Sequence, residues 1–188
     1  GLQILYHILN SRAATLADRC YAPDTDLEEV LRESCLPLVS IEARRPLADF
    51  DVIGITLPYE LCYTNILTIL DLAGLPLRAA GRKENDPLVI GGGTCAMNPE
   101  PVADFFDAIV LGDGEEVILD VAEAVRRGKK ENRTRAEIIG DLSCIQGVYI
   151  PSYFEPRYLG SDFAGVLPLK ENYLSVRRRV LASLPDAE

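Results

Sequence analysis

The pattern of apolar positions divides the chain into an opening helical stretch and a longer stretch in which short apolar runs alternate with helices. Apolar residues recur at helical spacing over residues 2–19, which predicts a first helix there. A second helix is predicted to begin at Thr25, because Thr25-x-x-Glu28 is a capping-box pattern ahead of apolar residues. After residue 36 the apolar residues form short continuous runs, which are typical of buried strands.

Short apolar runs predict strands at residues 37–41, 51–56, 87–90, 107–111 and 147–150. The predicted helices between them are one over residues 60–73 ended by Gly74, a short one near Pro99, one ending near Arg127 because Gly128 follows, and one opened by Thr134-x-x-Glu137. Strands that alternate with helices across short loops form a parallel sheet with helices on both faces. The predicted fold is therefore α/β: a Rossmann-like three-layer α/β/α sandwich with a flavodoxin-type, mostly parallel sheet and a short β-rich C-terminal extension.

The domain organisation follows from where this alternation stops. Residues 1–146 are predicted to form the domain, and residues 147–188, which are rich in Tyr, Pro and Arg, are predicted to form an extension or linker. A doubly wound sheet usually opens with its central strand, yet this chain opens with a helix. We therefore expect one further strand of the sheet to precede Gly1 in the natural protein.

Charge and hydropathy exclude two classes of partner. The net charge of −10, from 19 basic and 29 acidic residues, argues against nucleic-acid binding, which needs a basic surface. A basic cluster at residues 126–130 lies where a helix should end and suits the helix dipole, whereas the one at residues 177–179 has no assigned role. No apolar run approaches the ~20 residues that span a membrane, and no signal peptide is visible, so we expect a cytoplasmic protein.

The cysteines do not form a recognisable site. The chain has 5 cysteines and no Cys-x-x-Cys pair, which excludes zinc-ribbon and thioredoxin-type motifs. An odd number of cysteines without a signal peptide is typical of reduced cytosolic thiols. Cys95 follows three glycines in a predicted loop, but the single histidine, His7, falls in the first predicted helix. Cys–His catalysis is therefore disfavoured, and we assign no catalytic residue and no metal ligand.

Three loops, at residues 56–60, 91–100 and 112–116, follow predicted strands at the edge where open α/β sheets bind ligands, beyond the carboxyl ends of the strands. Glycines there would let a ligand approach the backbone, although tight turns use glycine without any ligand. The glycines match neither G-x-G-x-x-G nor the P-loop pattern, which disfavours those modes of nucleotide binding. The candidate binding residues are Thr56, Leu57, Tyr59, Gly91, Gly92, Gly93, Thr94, Asn98, Glu100, Gly112, Gly114 and Glu115.

Four ordered segments resemble the cobalamin-binding domain that precedes the catalytic domain of many radical S-adenosylmethionine (radical SAM) proteins. They are Asp51-Val52-Ile53-Gly54-Ile55-Thr56, Val89-Ile90-Gly91-Gly92-Gly93, Asn98-Pro99-Glu100 and Asp107-Ala108-Ile109-Val110-Leu111-Gly112-Asp113-Gly114-Glu115. The resemblance implies an N-terminal accessory domain that binds cobalamin or covers the substrate face of a radical SAM domain in the same protein. It implies that the [4Fe–4S] cluster and S-adenosylmethionine belong to that second domain.

Departures from the family pattern keep an alternative open. The cobalt-ligating motif D-x-H-x-x-G is absent, and Thr56-Leu57-Pro58 stands where the cobalamin loop has Ser-x-Leu. The motif C-x-x-x-C-x-x-C is absent too, so this chain does not itself hold the catalytic cluster. The alternative is a degenerate Rossmann domain that serves only as a structural or protein-interaction module. A receiver-like signalling domain is disfavoured, because receivers need acidic residues where this chain has Thr56 and Gly91.

Overall fold

The computed structural model describes residues 1–181. Its helices are α1 (Leu2–Asn10), α2 (Thr25–Glu33), α3 (Tyr63–Leu72), α4 (Gly114–Lys130) and α5 (Arg135–Ser143). Its strands are β1 (Val52–Thr56), β2 (Leu88–Gly92), β3 (Ala108–Val110), β4 (Val148–Tyr149), β5 (Phe154–Leu159) and β6 (Asp162–Pro168). No helix among these residues is long and apolar enough to cross a bilayer.

The main sheet has the strand order β1-β2-β3-β4. β1, β2 and β3 are parallel neighbours, and β4 is antiparallel to β3. β5 and β6 pair as a separate antiparallel hairpin. The predicted α/β fold, with a mostly parallel sheet and a β-rich C-terminal extension, is confirmed.

Apolar side chains cover both faces of this sheet because successive residues of a strand point to opposite sides. On one face, Val89 and Ile109 pack in a cluster with residues of α3, Ile66 and Leu70. On the other face, the strand residues pack against α4 and α5; that cluster includes Leu88, Ile90, Val110, Val117, Val121 and Ile138. The near-continuous apolar runs of β2 and β3 are what burial on both faces requires.

The helix starts and ends show which local signals were sufficient. The capping box at Thr134 is confirmed, since Thr134 and Glu137 bond to each other's backbone at the start of α5. The N-cap of α2 is Asp24 rather than Thr25. α1 ends at Asn10 and not near residue 19, and the Asn10 side chain both donates to and accepts from the backbone of Ala17, which closes a loop instead.

Two predictions were wrong for reasons that lie in tertiary packing. Gly128 does not end α4 but lies inside it, where a side chain would overlap Ile138 of α5. Residues 37–41 do not form a strand of the sheet; Val39 makes a single antiparallel bridge with Pro46, and the amide of Leu38 donates to the carbonyl of Leu72. In both cases the deciding neighbour lies in another element of the fold.

A buried charged cluster holds the amino-terminal ends of β2 and β3. The Arg82 and Asp107 side chains are 0% and 3% exposed and form a 2.8 Å ion pair, and Arg135 approaches the same carboxylate at 2.7 Å. The Asp107 carboxylate also accepts the amide of Val89 at 2.8 Å. Removal from water lowers the pKa of Arg82, and the charge of Asp107 opposes that effect. We call these three side chains the amino-end cluster.

Candidate functional site

The carboxyl ends of β1, β2 and β3 lie at one edge of the sheet, as the sequence predicted, and the first two loops there are bonded together. The amide of Leu57 donates to the carbonyl of Gly92 at 2.6 Å, and the amide of Cys95 donates to the carbonyl of Leu57 at 3.0 Å. Leu57 is consequently buried in the core, whereas Thr56 and Tyr59 on either side of it are exposed. Thr94 and Asn98 of the second loop are exposed as well.

Contacts within the chain explain why glycines occur in the second loop. A side chain at Gly91 would come within 3.1 Å of the Phe106 ring and 3.3 Å of Leu57. Gly93 has a φ of +116° and lies against the backbone of Leu57, a conformation and a distance that other residues do not tolerate. Gly92 makes only ordinary contact with Val110. Gly93 is therefore required by the fold itself, and Gly91 is closely packed within it.

The third predicted loop is covered by the C-terminal segment of the described chain. The amide of Arg179 donates to Leu111 at 2.8 Å, and the amide of Asp113 donates to the carbonyl of Arg179 at 3.1 Å. Gly112 has a φ of +103°, and a side chain on it would overlap the backbone of Arg179. At Gly112 a close approach to the backbone is thus made by Arg179.

The start of α4, next to this loop, is held by charge and by packing. The Arg179 guanidinium pairs with Glu116 at 2.8 Å and lies 3.6 Å from Asp120. Gly114 packs against Leu5 of α1, and the predicted site residue Glu115 is half-buried. Sequence reasoning left residues 177–179 without a role, because nothing near them in sequence reveals a partner more than sixty residues away.

Glu100 lies apart from the other candidates, in an apolar groove between the sheet edge and the hairpin. Its carboxylate accepts the hydroxyl of Tyr149 at 2.5 Å. Burial, and then the adjacent Glu100, raise the pKa of Tyr149 far above its usual range. The groove has a volume of about 370 Å³ and its walls include Pro99, Leu111, Phe154, Phe163, Val166 and Val176.

Cys95 is not set up as a nucleophile. Its thiol lies beside Glu60 and Tyr63, and partial removal from water, followed by the charge of Glu60, raises the pKa of Cys95. A thiol with a raised pKa stays protonated at neutral pH and reacts slowly.

Exposed apolar side chains mark the edge formed by the first two loops. Tyr59 is 53% exposed, Leu61 88% and Met97 54%. The two loops are in contact, since Cys95 lies beside Glu60. We call Tyr59, Leu61 and Met97 the carboxyl-edge patch. Thr56, Thr94 and Asn98, which are polar and exposed, lie on the same two loops.

The residues at this edge do not fit a cobalamin site. The space at Gly91 is filled by Phe106 and Leu57, and the space at Gly112 is filled by Arg179. His7 lies on α1 against the ring of Tyr6, and not on any of the three loops. Among residues 1–181, no group of three or more His, Cys, Asp or Glu side chains could hold a metal ion.

Comparison with known proteins gives the family. The family model for the N-terminal region of radical SAM proteins matches residues 1–151. An uncharacterized protein of Methanocaldococcus jannaschii is 40% identical over 78 residues, which are 39% of this chain and 16% of that relative. This chain therefore aligns with only a small part of its relative's length, and no solved structure matches it. With the match extending over most of the sheet and all five helices, the chain belongs to the family of radical SAM protein N-terminal domains.

Proposed function

We propose that this domain is an accessory cover for the radical SAM catalytic domain of the same polypeptide, and that its carboxyl-edge patch faces that domain. The observation that carries the proposal is the exposure of Tyr59, Leu61 and Met97 on the two loops where an open α/β sheet normally meets its ligand. Apolar side chains gathered at a functional edge are typical of an interaction surface. Family membership supports this choice of partner, because the family model describes the N-terminal region of radical SAM proteins.

The chemistry of the whole protein is proposed to lie outside this chain. An iron–sulfur cluster and S-adenosylmethionine, held by the catalytic domain, would supply a radical. In this chain, the role of excluding water would fall to Tyr59, Leu61 and Met97. Hydrogen bonds would come from the polar side chains of Thr56, Thr94 and Asn98. We also propose a cytoplasmic location, since all 5 cysteines are free thiols.

The proposal is tested with two matched substitutions in the full-length protein. Leu61→Glu places a charge in the carboxyl-edge patch, and Leu36→Glu places one on a side chain that is 56% exposed beside the end of α3, at the opposite end of the sheet. Loss of a buried contact worth about 1.4 kcal/mol changes an equilibrium ~10-fold. We expect Leu61→Glu to accelerate proteolytic separation of the two domains ~10-fold. Equal effects of the two substitutions would contradict the proposal.

A purely structural module without any ligand is the second candidate, and the glycine contacts favour it over cobalamin binding. Gly91 and Gly112 are occupied by the chain's own atoms, so a large ligand would have to displace them. Titration of hydroxocobalamin into the full-length protein, followed by absorbance and calorimetry, distinguishes a structural module from a cobalamin-binding domain. We expect no stoichiometric complex at micromolar concentration. Formation of such a complex would show that the domain binds cobalamin.

A further inference from the structure

One edge of β1 has backbone groups without a partner among residues 1–181. Leu88 donates its amide to Asp51, and Leu57 donates its amide to Gly92, so the odd-numbered residues of β1 bond to β2. In a parallel ladder the alternate residues then point their N–H and C=O groups the other way. Those residues are Val52, Gly54 and Thr56, and no described strand pairs with that side.

This edge has none of the features that protect a terminal strand. Edge strands usually carry a charge, a proline or a bulge that prevents pairing. β1 reads Val-Ile-Gly-Ile-Thr, has no bulge in its register with β2, and is very well suited to a buried position. Gly54 is exposed and has no atom within 4 Å of where a side chain would begin, so another backbone can approach closely.

Helix α1 also lacks part of its packing. It contacts α4, and α5 contacts α4 and β4. Most of the nine residues of α1 are apolar, yet none is buried, and Ile4 is 48% exposed. A helix buries its apolar stripe against a sheet or another helix. The described sheet ends at β1 and offers no further strand for this helix to cover.

We propose that a strand formed by residues preceding Gly1 in the full-length protein pairs in parallel with the free edge of β1, under α1. The direction follows from the position of α1, whose Leu5 lies against Gly114 at the carboxyl edge of the sheet. A strand parallel to β1 ends at that same edge, and a short loop then leads into Gly1 and α1. The added strand supplies hydrogen-bond partners for the backbone N–H and C=O groups of Val52, Gly54 and Thr56. It also gives the apolar side of α1 a surface to cover.

Hydrogen exchange resolved to single amides tests this inference. The full-length protein is compared with the same protein shortened to begin at Gly1, at several protein concentrations. We expect the amides of Val52, Gly54 and Thr56 to exchange at least ~100-fold more slowly in the full-length protein. The amides of Ile53, Ile55 and Leu57, which face β2, are the internal control and report that the sheet is folded.

Three results would overturn the inference. The first is equal exchange at Val52, Gly54 and Thr56 in both forms with the control amides protected, because the preceding residues would then not fill the edge. The second is protection that fades on dilution of the full-length protein, because the occupant would then be a second copy. The third applies even when the shortened form does not fold: in the full-length protein, the residues before Gly1 show no alternating pattern of protected amides. The docking of the catalytic domain does not enter these outcomes.

Discussion

The two ends of the central sheet are built differently. At the amino end, the side chains of the amino-end cluster are withdrawn from water, and Arg82 donates to the carbonyl of Phe105 at 2.7 Å and to that of Leu77 at 3.1 Å. At the carboxyl end, two loops project Leu61 with 88% of its surface exposed, alongside Tyr59 and Met97. The amino end pairs its charged groups within the chain, although the buried Nε of Arg82 has no hydrogen-bond partner among the described residues, and the carboxyl end leaves apolar groups for contact elsewhere. The contrast separates residues that stabilise this domain from residues that are available for binding.

The largest expected loss in the free energy of unfolding follows a substitution at the amino end of the sheet, and it sharpens this contrast. Asp107→Asn removes the carboxylate that Arg82 and Arg135 share, and leaves buried charge uncompensated. We expect the free energy of unfolding, measured with urea, to fall by about 3–5 kcal/mol. Asp104→Asn is the control, since Asp104 pairs with Arg78 where both are exposed, and should cost less than about 1 kcal/mol. Similar losses would show that the amino-end cluster has no special role.

The next effect concerns the loop that the C-terminal segment covers. Gly112→Ala forces an alanine into a φ of +103° and against the backbone of Arg179. We expect a loss of about 1–3 kcal/mol and faster tryptic cleavage at residues 177–179, because the segment must move away. Gly54→Ala, with no neighbouring atom within 4 Å, is the control and should leave cleavage at those residues unchanged. Resistance of the Gly112→Ala variant to trypsin would contradict the close contact between Gly112 and the backbone of Arg179.

Unfolding at alkaline pH tests the environment of the buried Tyr149, between the two ends of the sheet. Burial raises the pKa of Tyr149, so the folded protein keeps its hydroxyl protonated while the unfolded chain ionises near pH 10. The free energy of unfolding should be insensitive to this group below pH 10 and should fall above it by about 1.4 kcal/mol per pH unit. Tyr149→Phe should reduce that slope, whereas Tyr158→Phe, at an exposed position, should not. Identical slopes in urea unfolding across pH 9–12 would rule out this account of Tyr149.

The smallest expected effect on stability belongs to the carboxyl end. Leu61→Glu changes a side chain that makes little contact within the described chain. We expect the free energy of unfolding of the isolated chain to change by no more than about 0.5 kcal/mol. A loss comparable to that of Asp107→Asn would mean that Leu61 stabilises the domain, and the contrast between the two ends would fail.

The sequence was sufficient where the signal was local. The strands at residues 51–56, 87–90 and 107–111 were predicted from short apolar runs, and the start of α5 was predicted from Thr134 and Glu137. The position of the first two loops at one edge followed from the rule that parallel strands share a carboxyl edge, whereas the hydrogen bonds that join them were not predicted.

The remainder depends on contacts between different elements of the fold. Gly128 was predicted to end a helix, and only the packing of Ile138 explains why it lies inside one. The role of Arg179 at Gly112 was not visible, since the two are 67 positions apart in the chain. At Gly91 and Gly112 the chain's own atoms approach closely, and such an approach leaves the same mark in the sequence as a close approach by a ligand.

Hydrogen exchange of the full-length protein against this chain alone tests the central claim, that the carboxyl edge faces the catalytic domain. The measurement compares the amides of residues 59–62 and 94–97, at the carboxyl edge, with those of residues 82–86, at the amino end. The account predicts slower exchange in the full-length protein at the carboxyl edge, by at least ~10-fold, and no change at the amino end. Unchanged exchange at the carboxyl edge, or equal slowing at both ends, would contradict it.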